Sequence, residues 1–220
     1  MHESFIFILM VALALGISKT PLRYPFKWLE TFFHELSHGL AAIVTFGWIH
    51  RVTLNFNGAG SCTTKGGWRF LILISGYLGA VFWGALIYLA GWSLDEVGSV
   101  ELLYFLNGLI VITTVLWVRS LSTFIILAVM FVVFWLPSQV PNWAWIPYFI
   151  KFMGMYVLLS AVKAPLALID GKHVGDGAAL QDLTFVIPEG VWIVLWFVAG
   201  LATLGGLWAL QVGLLNAWLQ

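Results

Sequence analysis

Long apolar runs, separated by short polar breaks, make up most of this chain of 220 residues. The runs cover about 4–18, 26–46, 68–92, 102–118, 121–136, 146–169 and 188–218. Barrel strands need only about 10 residues of alternating polarity, whereas about 20 apolar residues cross a bilayer as a helix. The pattern therefore predicts an all-α polytopic membrane protein, a single domain over residues 1–220 with six or seven transmembrane helices.

The polar residues around the first two runs indicate where the helices end and begin. Glu3 stands where a signal peptide would carry basic residues, so we interpret the first run as a retained helix. Pro25 is well placed to open the second helix, because proline is favoured in a first helical turn. Lys and Arg residues flank this second helix equally on both sides, so the charge bias leaves its orientation open.

The segment 47–67 departs from the helical pattern. Apolar and polar residues interleave from Ile49 to Phe56, and the turn dipeptide Asn57-Gly58 follows, which is typical of a β-hairpin. Irregular backbone at a membrane is tolerated only when protein buries it or when it lines a wet cavity. We therefore expect a small membrane-associated β-hairpin over 48–65, directly after the second helix.

Composition narrows the class of protein. Hydrophobic residues make up 61% of the chain and charged residues 9%, the mean hydropathy is +0.98, and the formal net charge is zero. This balance excludes a nucleic-acid binder that relies on a basic face and a disordered charged tail. We expect a multi-pass protein of a bacterial inner or plasma membrane. Its expected surroundings are the lipid bilayer, and we expect no nucleic-acid partner.

The sequence His34-Glu35-Leu36-Ser37-His38 carries the candidate chemistry. Residues i and i+4 of a helix share one face about 6 Å apart, so His34 and His38 can bind one zinc ion. Glu35 can then accept a proton from a water on that ion. Ionisable groups within a membrane helix should face the protein interior and share a partner. A proton relay or a structural polar cluster is the alternative interpretation.

A catalytic zinc ion needs a third protein ligand and one open position. Cys62 is the only cysteine, so a cysteine-rich site is impossible. Asp170, Asp176 and Asp182 fall in a polar stretch between the late apolar runs, and His173 lies in a turn that looks solvated. Spacing alone does not choose among the three aspartates.

Four motifs together resemble the site-2 protease family of intramembrane zinc metalloproteases. They are HELSHGLAA (34–42), TTKGG (63–67), SGYLGAVFWGAL (75–86) and GDGAALQDLT (175–184). Their order matches the compact branch of that family, which lacks a PDZ domain, and the resemblance extends over about 25–215. It implies a zinc metalloendopeptidase that hydrolyses peptide bonds of membrane-spanning or membrane-proximal substrates by zinc-activated water.

The resemblance also implies which residues act. The late motif of the compact branch reads Ser-Asp-Ala, followed by a Leu and a Thr, and this register falls on Asp176 with Gly175 in place of the Ser. The wider family carries Leu-Asp-Gly instead, which the sequence around Asp170 mimics. We expect Zn²⁺ to be held by His34, His38 and Asp176, with Glu35 as the catalytic base.

Substrate contacts are the least specific part of the prediction. We assign Asn55 and Asn57 of the hairpin, and Asn107 within an apolar run, as candidate substrate-binding residues. Asn107 has an alternative role in a helix–helix hydrogen bond, and the hairpin could either capture an extended peptide by strand addition or plug the cavity. The expected substrate is a membrane protein with a single spanning helix.

Two other functions remain open at this stage. One is a catalytically silent relative that acts as a membrane scaffold or chaperone, and the other is a proton or metal transporter. The intact HExxH motif argues against a scaffold, which has no need for Glu35. The absence of paired, broken helices in two symmetric halves argues against a transporter.

Overall fold

The computed structural model describes residues 2–213, with side chains from Ser4 onward, so the predicted end of the last apolar run (214–218) lies outside the described residues. The elements are α1 (His2–Ile17), α2 (Arg23–Val44), β1 (Trp48–Leu54), β2 (Gly60–Lys65), α3 (Arg69–Ser93), α4 (Glu96–Trp117), α5 (Leu121–Ser138), α6 (Ile146–Lys163), α7 (Asp176–Thr184) and α8 (Glu189–Gln211). A 3₁₀ turn over Ala164–Leu168 follows α6. This confirms the predicted class, a polytopic all-α protein with a small hairpin.

Within the described residues, five helices are long and apolar enough to cross a membrane: α3, α4, α5, α6 with its 3₁₀ turn, and α8. The sequence predicted six or seven. The difference lies in α1 and α2. With 16 residues, α1 is about 24 Å long, short of the roughly 30 Å hydrocarbon core. In α2, the charged residues and the two histidines of the candidate site lower the hydropathy.

Two boundaries differ from the apolar pattern for local reasons. Helix α4 begins at Glu96, six residues before the predicted run, because the Asp95 carboxylate caps it by accepting a hydrogen bond from the Gly98 N–H (2.8 Å). The sequence predicted only a polar stretch between the late spans after α6. It instead folds into α7 from Asp176 onward.

Close helix packing places α3 against both α2 and α6. A Cβ atom on Gly84 of α3 would lie 2.6 Å from the backbone nitrogen of Leu158 in α6, so only glycine permits this approach. Small residues at helix interfaces let membrane helices approach closely in this way. Helix α6 is the most buried of the candidate spans, and it contacts α2 as well as α3.

The hairpin has the predicted position, and its two edges differ. Strands β1 and β2 pair antiparallel from Trp48 opposite Lys65 to Leu54 opposite Gly60. The outer side of β1 is occupied, because the Leu54 N–H donates to Thr123 Oγ1 of α5 (2.9 Å). The outer edge of β2 has no further strand in the described part of the chain. Its residues line a cavity beside α2.

Candidate metal centre

The two histidines of α2 occupy consecutive turns on the face toward α3. The Nδ1 of His38 lies 2.6 Å from the carbonyl oxygen of Ile72 in α3. A carbonyl oxygen can only accept, so Nδ1 carries the proton and donates it. In the neutral imidazole, Nε2 then carries no proton and has a lone pair available to bind a metal. This arrangement, with the second ring nitrogen held by a carbonyl, is typical of metal-binding histidine.

Asp176, the first residue of α7, completes a triangle with the two imidazoles. Its Oδ2 lies 3.1 Å from Nε2 of His34 and 3.2 Å from Nε2 of His38, and the two Nε2 atoms are 3.1 Å apart. Tetrahedral zinc with bonds of about 2.0–2.1 Å separates its ligand atoms by about 3.3 Å. Two imidazole nitrogens and one carboxylate oxygen therefore fit zinc with one position open. The ligand assignment itself remains a prediction, which this geometry supports.

The other candidate ligands lie elsewhere. Asp170 is exposed, accepts a hydrogen bond from the Lys172 N–H (3.0 Å) and pairs with Lys172 Nζ (3.4 Å). The backbone N–H of Lys172 holds the pKa of Asp170 below its usual value, so this carboxylate stays ionised in a surface turn. Asp182 is exposed on α7. His173 contacts Glu189 instead of the metal group.

Glu35 lies on a different face of α2 from the histidines, at the contact with the hairpin. It is buried and lines the cavity. A Cβ atom on Gly60, the first residue of β2, would lie 2.6 Å from Glu35 Oε1. The catalytic carboxylate predicted from the sequence therefore sits directly beneath the start of β2, between the strand and the open cavity.

Glycines of α3 create the space that the imidazoles occupy. A Cβ atom on Gly76 would come within 2.5 Å of Cε1 and Nε2 of His38 and 2.7 Å of Cε1 of His34. Glycine in a membrane helix commonly serves helix packing, and the surface packed against Gly76 is the face of α2 that carries both histidines. Nothing in the sequence pairs this glycine with the histidines, because the contact is tertiary.

A cavity of about 850 Å³ opens in front of this group. Its wall includes His34, Glu35, His38 and Asp176, together with β2 and the segment before α7. Charged and polar side chains form part of this wall, so the cavity can hold the water that peptide hydrolysis consumes.

Two residues of the cavity wall, Glu30 and Tyr77, were not predicted from the sequence. Glu30 is 5% exposed and lies one turn before His34 on α2, so extending the i, i+4 spacing backward would have found it. The ring of Tyr77 packs edge-on against His34, with centroids 4.5 Å apart, and against Trp196 at the same distance. Tyr77 belongs to the motif at 75–86, which was interpreted only through the family resemblance.

Cys62 of β2 also lines the cavity. Burial raises the pKa of its thiol to about 12, so the side chain is a neutral thiol at physiological pH. Because the thiolate is the form that attacks electrophiles, Cys62 is poorly suited to act as a nucleophile.

The three asparagines predicted to bind substrate lie outside the cavity wall. Asn57 accepts a hydrogen bond from the Ala59 N–H (3.0 Å) and so stabilises the hairpin turn that begins at Asn55. Asn107 is buried between α4 and α5, where its amide nitrogen can donate to the Phe131 carbonyl oxygen (3.1 Å). The structure thus favours the helix–helix role for Asn107, and substrate contact by the three residues remains only a prediction.

Comparison with known proteins adds one match. The family model described as Peptidase M50B-like matches residues 6–207, nearly the whole chain. No curated protein and no solved structure matches. Metalloproteases of the M50 family use zinc, and the donor set assembled by α2 and α7 is of the kind that zinc prefers.

Proposed function

This chain belongs to the Peptidase M50B-like family, within the site-2 proteases, and we propose that it is a zinc metalloendopeptidase acting on membrane-spanning or membrane-proximal substrates. One observation carries the proposal. The three predicted ligand atoms form a triangle with sides of 3.1–3.2 Å on the wall of a cavity that Glu35 also lines. A scaffold has no need for this combination.

In this mechanism His34, His38 and Asp176 would hold the zinc ion. The bound ion would supply Lewis acidity, which makes water more acidic and polarises a peptide carbonyl. Glu35 accepts the proton of the attacking water and delivers it to the nitrogen of the leaving amine, so one carboxylate serves as base and then as acid. The Ile72 carbonyl keeps the Nδ1 proton of His38 in place and the Nε2 lone pair directed at the site.

A substrate helix must first unwind, because its carbonyls are hydrogen-bonded within the helix. The free edge of β2 offers backbone groups to which an extended segment can add as a strand. Gly60 at the start of β2 lies against Glu35, so a segment on that edge passes beside the catalytic carboxylate. Five apolar helices and the family place the protein in a membrane as a multi-pass protein. A bacterial inner or plasma membrane remains a prediction.

Glu35→Gln tests the proposal. It preserves the shape of the side chain and removes the base, while Glu101→Gln, at an exposed position of α4, is the matched control. We expect zinc to stay bound and proteolysis to fall by about 10²-fold or more, the usual contribution of a general base. In cells, membrane proteins that accumulate uncut only with Glu35→Gln are the substrates.

Three results would contradict the proposal. Loss of zinc in Glu35→Gln would make Glu35 a ligand. Full zinc and full activity would show that no base acts at this position. Identical membrane proteomes in cells carrying wild type and Glu35→Gln would favour the scaffold function.

A further inference from the structure

The first residue of α8, Glu189, is a buried carboxylate that the proposed mechanism does not use. It is 7% exposed. Its Oε2 lies 2.9 Å from Nδ1 of His173, and its backbone N–H donates to Gln181 Oε1 (2.8 Å). Its Oε1 is buried and has no hydrogen-bond partner within the described residues. Keeping a carboxylate at such a place is costly, which indicates a purpose beyond filling space.

Glu189 supports the helix that carries the third predicted ligand. A Cβ atom on Gly177 would lie 3.0 Å from Glu189 Cγ and 3.3 Å from its Oε1, so the backbone next to Asp176 rests on this side chain. Gln181 extends the contact to the next turn. Helix α7 has only nine residues, and helices this short depend on tertiary contacts for their stability.

His173 joins the segment before α7 to the same carboxylate. Its backbone has a φ of 48°, in the left-handed region, and its neighbours Gly171 (72°) and Gly175 (112°) also have positive φ. A non-glycine residue keeps this conformation only where its surroundings impose it. The side chain of His173 is 71% exposed, so burial does not hold it, whereas the contact with Glu189 does.

We propose that Glu189 is a positioning residue that holds α7 so that the Asp176 carboxylate stays at the third corner of the metal group. The contact between His173 and Glu189, which we call the latch, fixes the segment before α7 to the same carboxylate. This inference rests on the proposed function, because it takes that group as a zinc site. Glu189 acts through the backbone of α7 and through the loop. Neighbours that orient metal ligands commonly contribute 10- to 100-fold to metal affinity.

The same loop offers a matched control. Lys172 lies beside His173 and pairs with Asp170 at 3.4 Å, and both side chains of this pair are exposed. Lys172→Ala therefore removes an ion pair from the same segment without touching α8. A general loosening of the loop would affect Lys172→Ala and His173→Ala alike, whereas the latch predicts that only the second variant matters.

The test measures zinc affinity by chelator competition on the purified, detergent-solubilised chain. We expect His173→Ala and Glu189→Ala to bind zinc about 10- to 100-fold more weakly than wild type, and Lys172→Ala to stay within about twofold, as for most surface changes. Glu189→Gln keeps an acceptor for His173 and should recover most of the affinity. If Glu189→Ala fails to fold, the exposed position of His173 still carries the test.

A double-mutant cycle shows whether the effect passes through Asp176. In an Asp176→Ala background, His173→Ala should cause no further loss, because the ligand that the latch positions is absent. An equal loss in both backgrounds would overturn the proposal. If the wild-type chain binds zinc and both His173→Ala and Glu189→Ala bind it with the same affinity, the positioning role of Glu189 and His173 is wrong but the metal site stands. If the wild-type chain binds no zinc, both the metal site and the positioning role are wrong.

Discussion

Gly76→Ala is the smallest change that should damage the metal group without removing any of its ligands. The new Cβ atom would lie 2.5 Å from Cε1 and Nε2 of His38 and 2.7 Å from Cε1 of His34, whereas ordinary contacts begin at 3.4 Å. The rings must therefore retreat by about 0.9 Å. Metal–ligand distances tolerate only about ±0.2 Å, so the displaced nitrogens cannot meet the ion at full strength.

The expected loss follows from the cost of overpacking. Inserting one methyl group into a well-packed site costs about 1–3 kcal/mol, and each 1.4 kcal/mol is tenfold in affinity. The rings can relax away from the new methyl group when no metal holds them, so the cost falls mainly on the bound state. We expect zinc to bind about 5- to 150-fold more weakly, while the metal-free protein keeps its thermal stability.

The assay is chelator competition on purified protein, with circular dichroism and thermal unfolding as checks on the fold. Gly108→Ala is the control, because Gly108 also lies within a membrane helix but has nothing within 4 Å of the added Cβ atom. It should bind zinc as wild type does. Zinc affinity of folded Gly76→Ala within twofold of the control would refute the placement of Gly76 against the imidazoles.

Three further predictions concern the same cavity. Gly60→Ala should keep zinc but lower proteolysis by about tenfold or more, because its Cβ displaces the Glu35 carboxylate; unchanged kcat would contradict the contact. Asp176→Ala should lose most bound zinc and Asp170→Ala should retain it, as measured by metal analysis; the reverse would exchange their roles. Cys62→Ala should retain zinc and activity. In the wild type, the rate of Cys62 alkylation should rise about tenfold per pH unit above pH 8, because the pKa of this thiol is about 12.

Local features of the sequence were sufficient for much of the fold. The apolar runs predicted the helices, and the interleaved segment with Asn57-Gly58 predicted the hairpin, because periodicity and turn chemistry act over a few residues. The start of α4 was missed because the Asp95 cap made helix from residues that look like a polar break. Helix α7 was missed because it is short and its tertiary contacts come from α3 and α8, which the sequence of α7 does not reveal.

Some residues of the candidate site can also be identified from local sequence, whereas others depend on tertiary contacts. His34, Glu35 and His38 are recognisable because their spacing is a property of one helix. Asp176 could be preferred over Asp170 only through resemblance, since no local rule states which distant carboxylate returns to α2. The roles of Gly60 and Gly76 depend on strand–helix and helix–helix contacts, which the pattern of one segment does not contain. The assignment of the whole chain to a single domain remains a prediction.

X-ray absorption at the zinc edge of the purified, zinc-loaded wild-type chain tests the central claim most directly. The account predicts one zinc per chain, with four light ligands at about 2.0–2.2 Å, two of them imidazole, and no sulfur. A sulfur shell at about 2.3 Å would bring Cys62 into the site and contradict the donor set. A sixfold oxygen shell without imidazole, or no stoichiometric zinc, would contradict the metal centre itself.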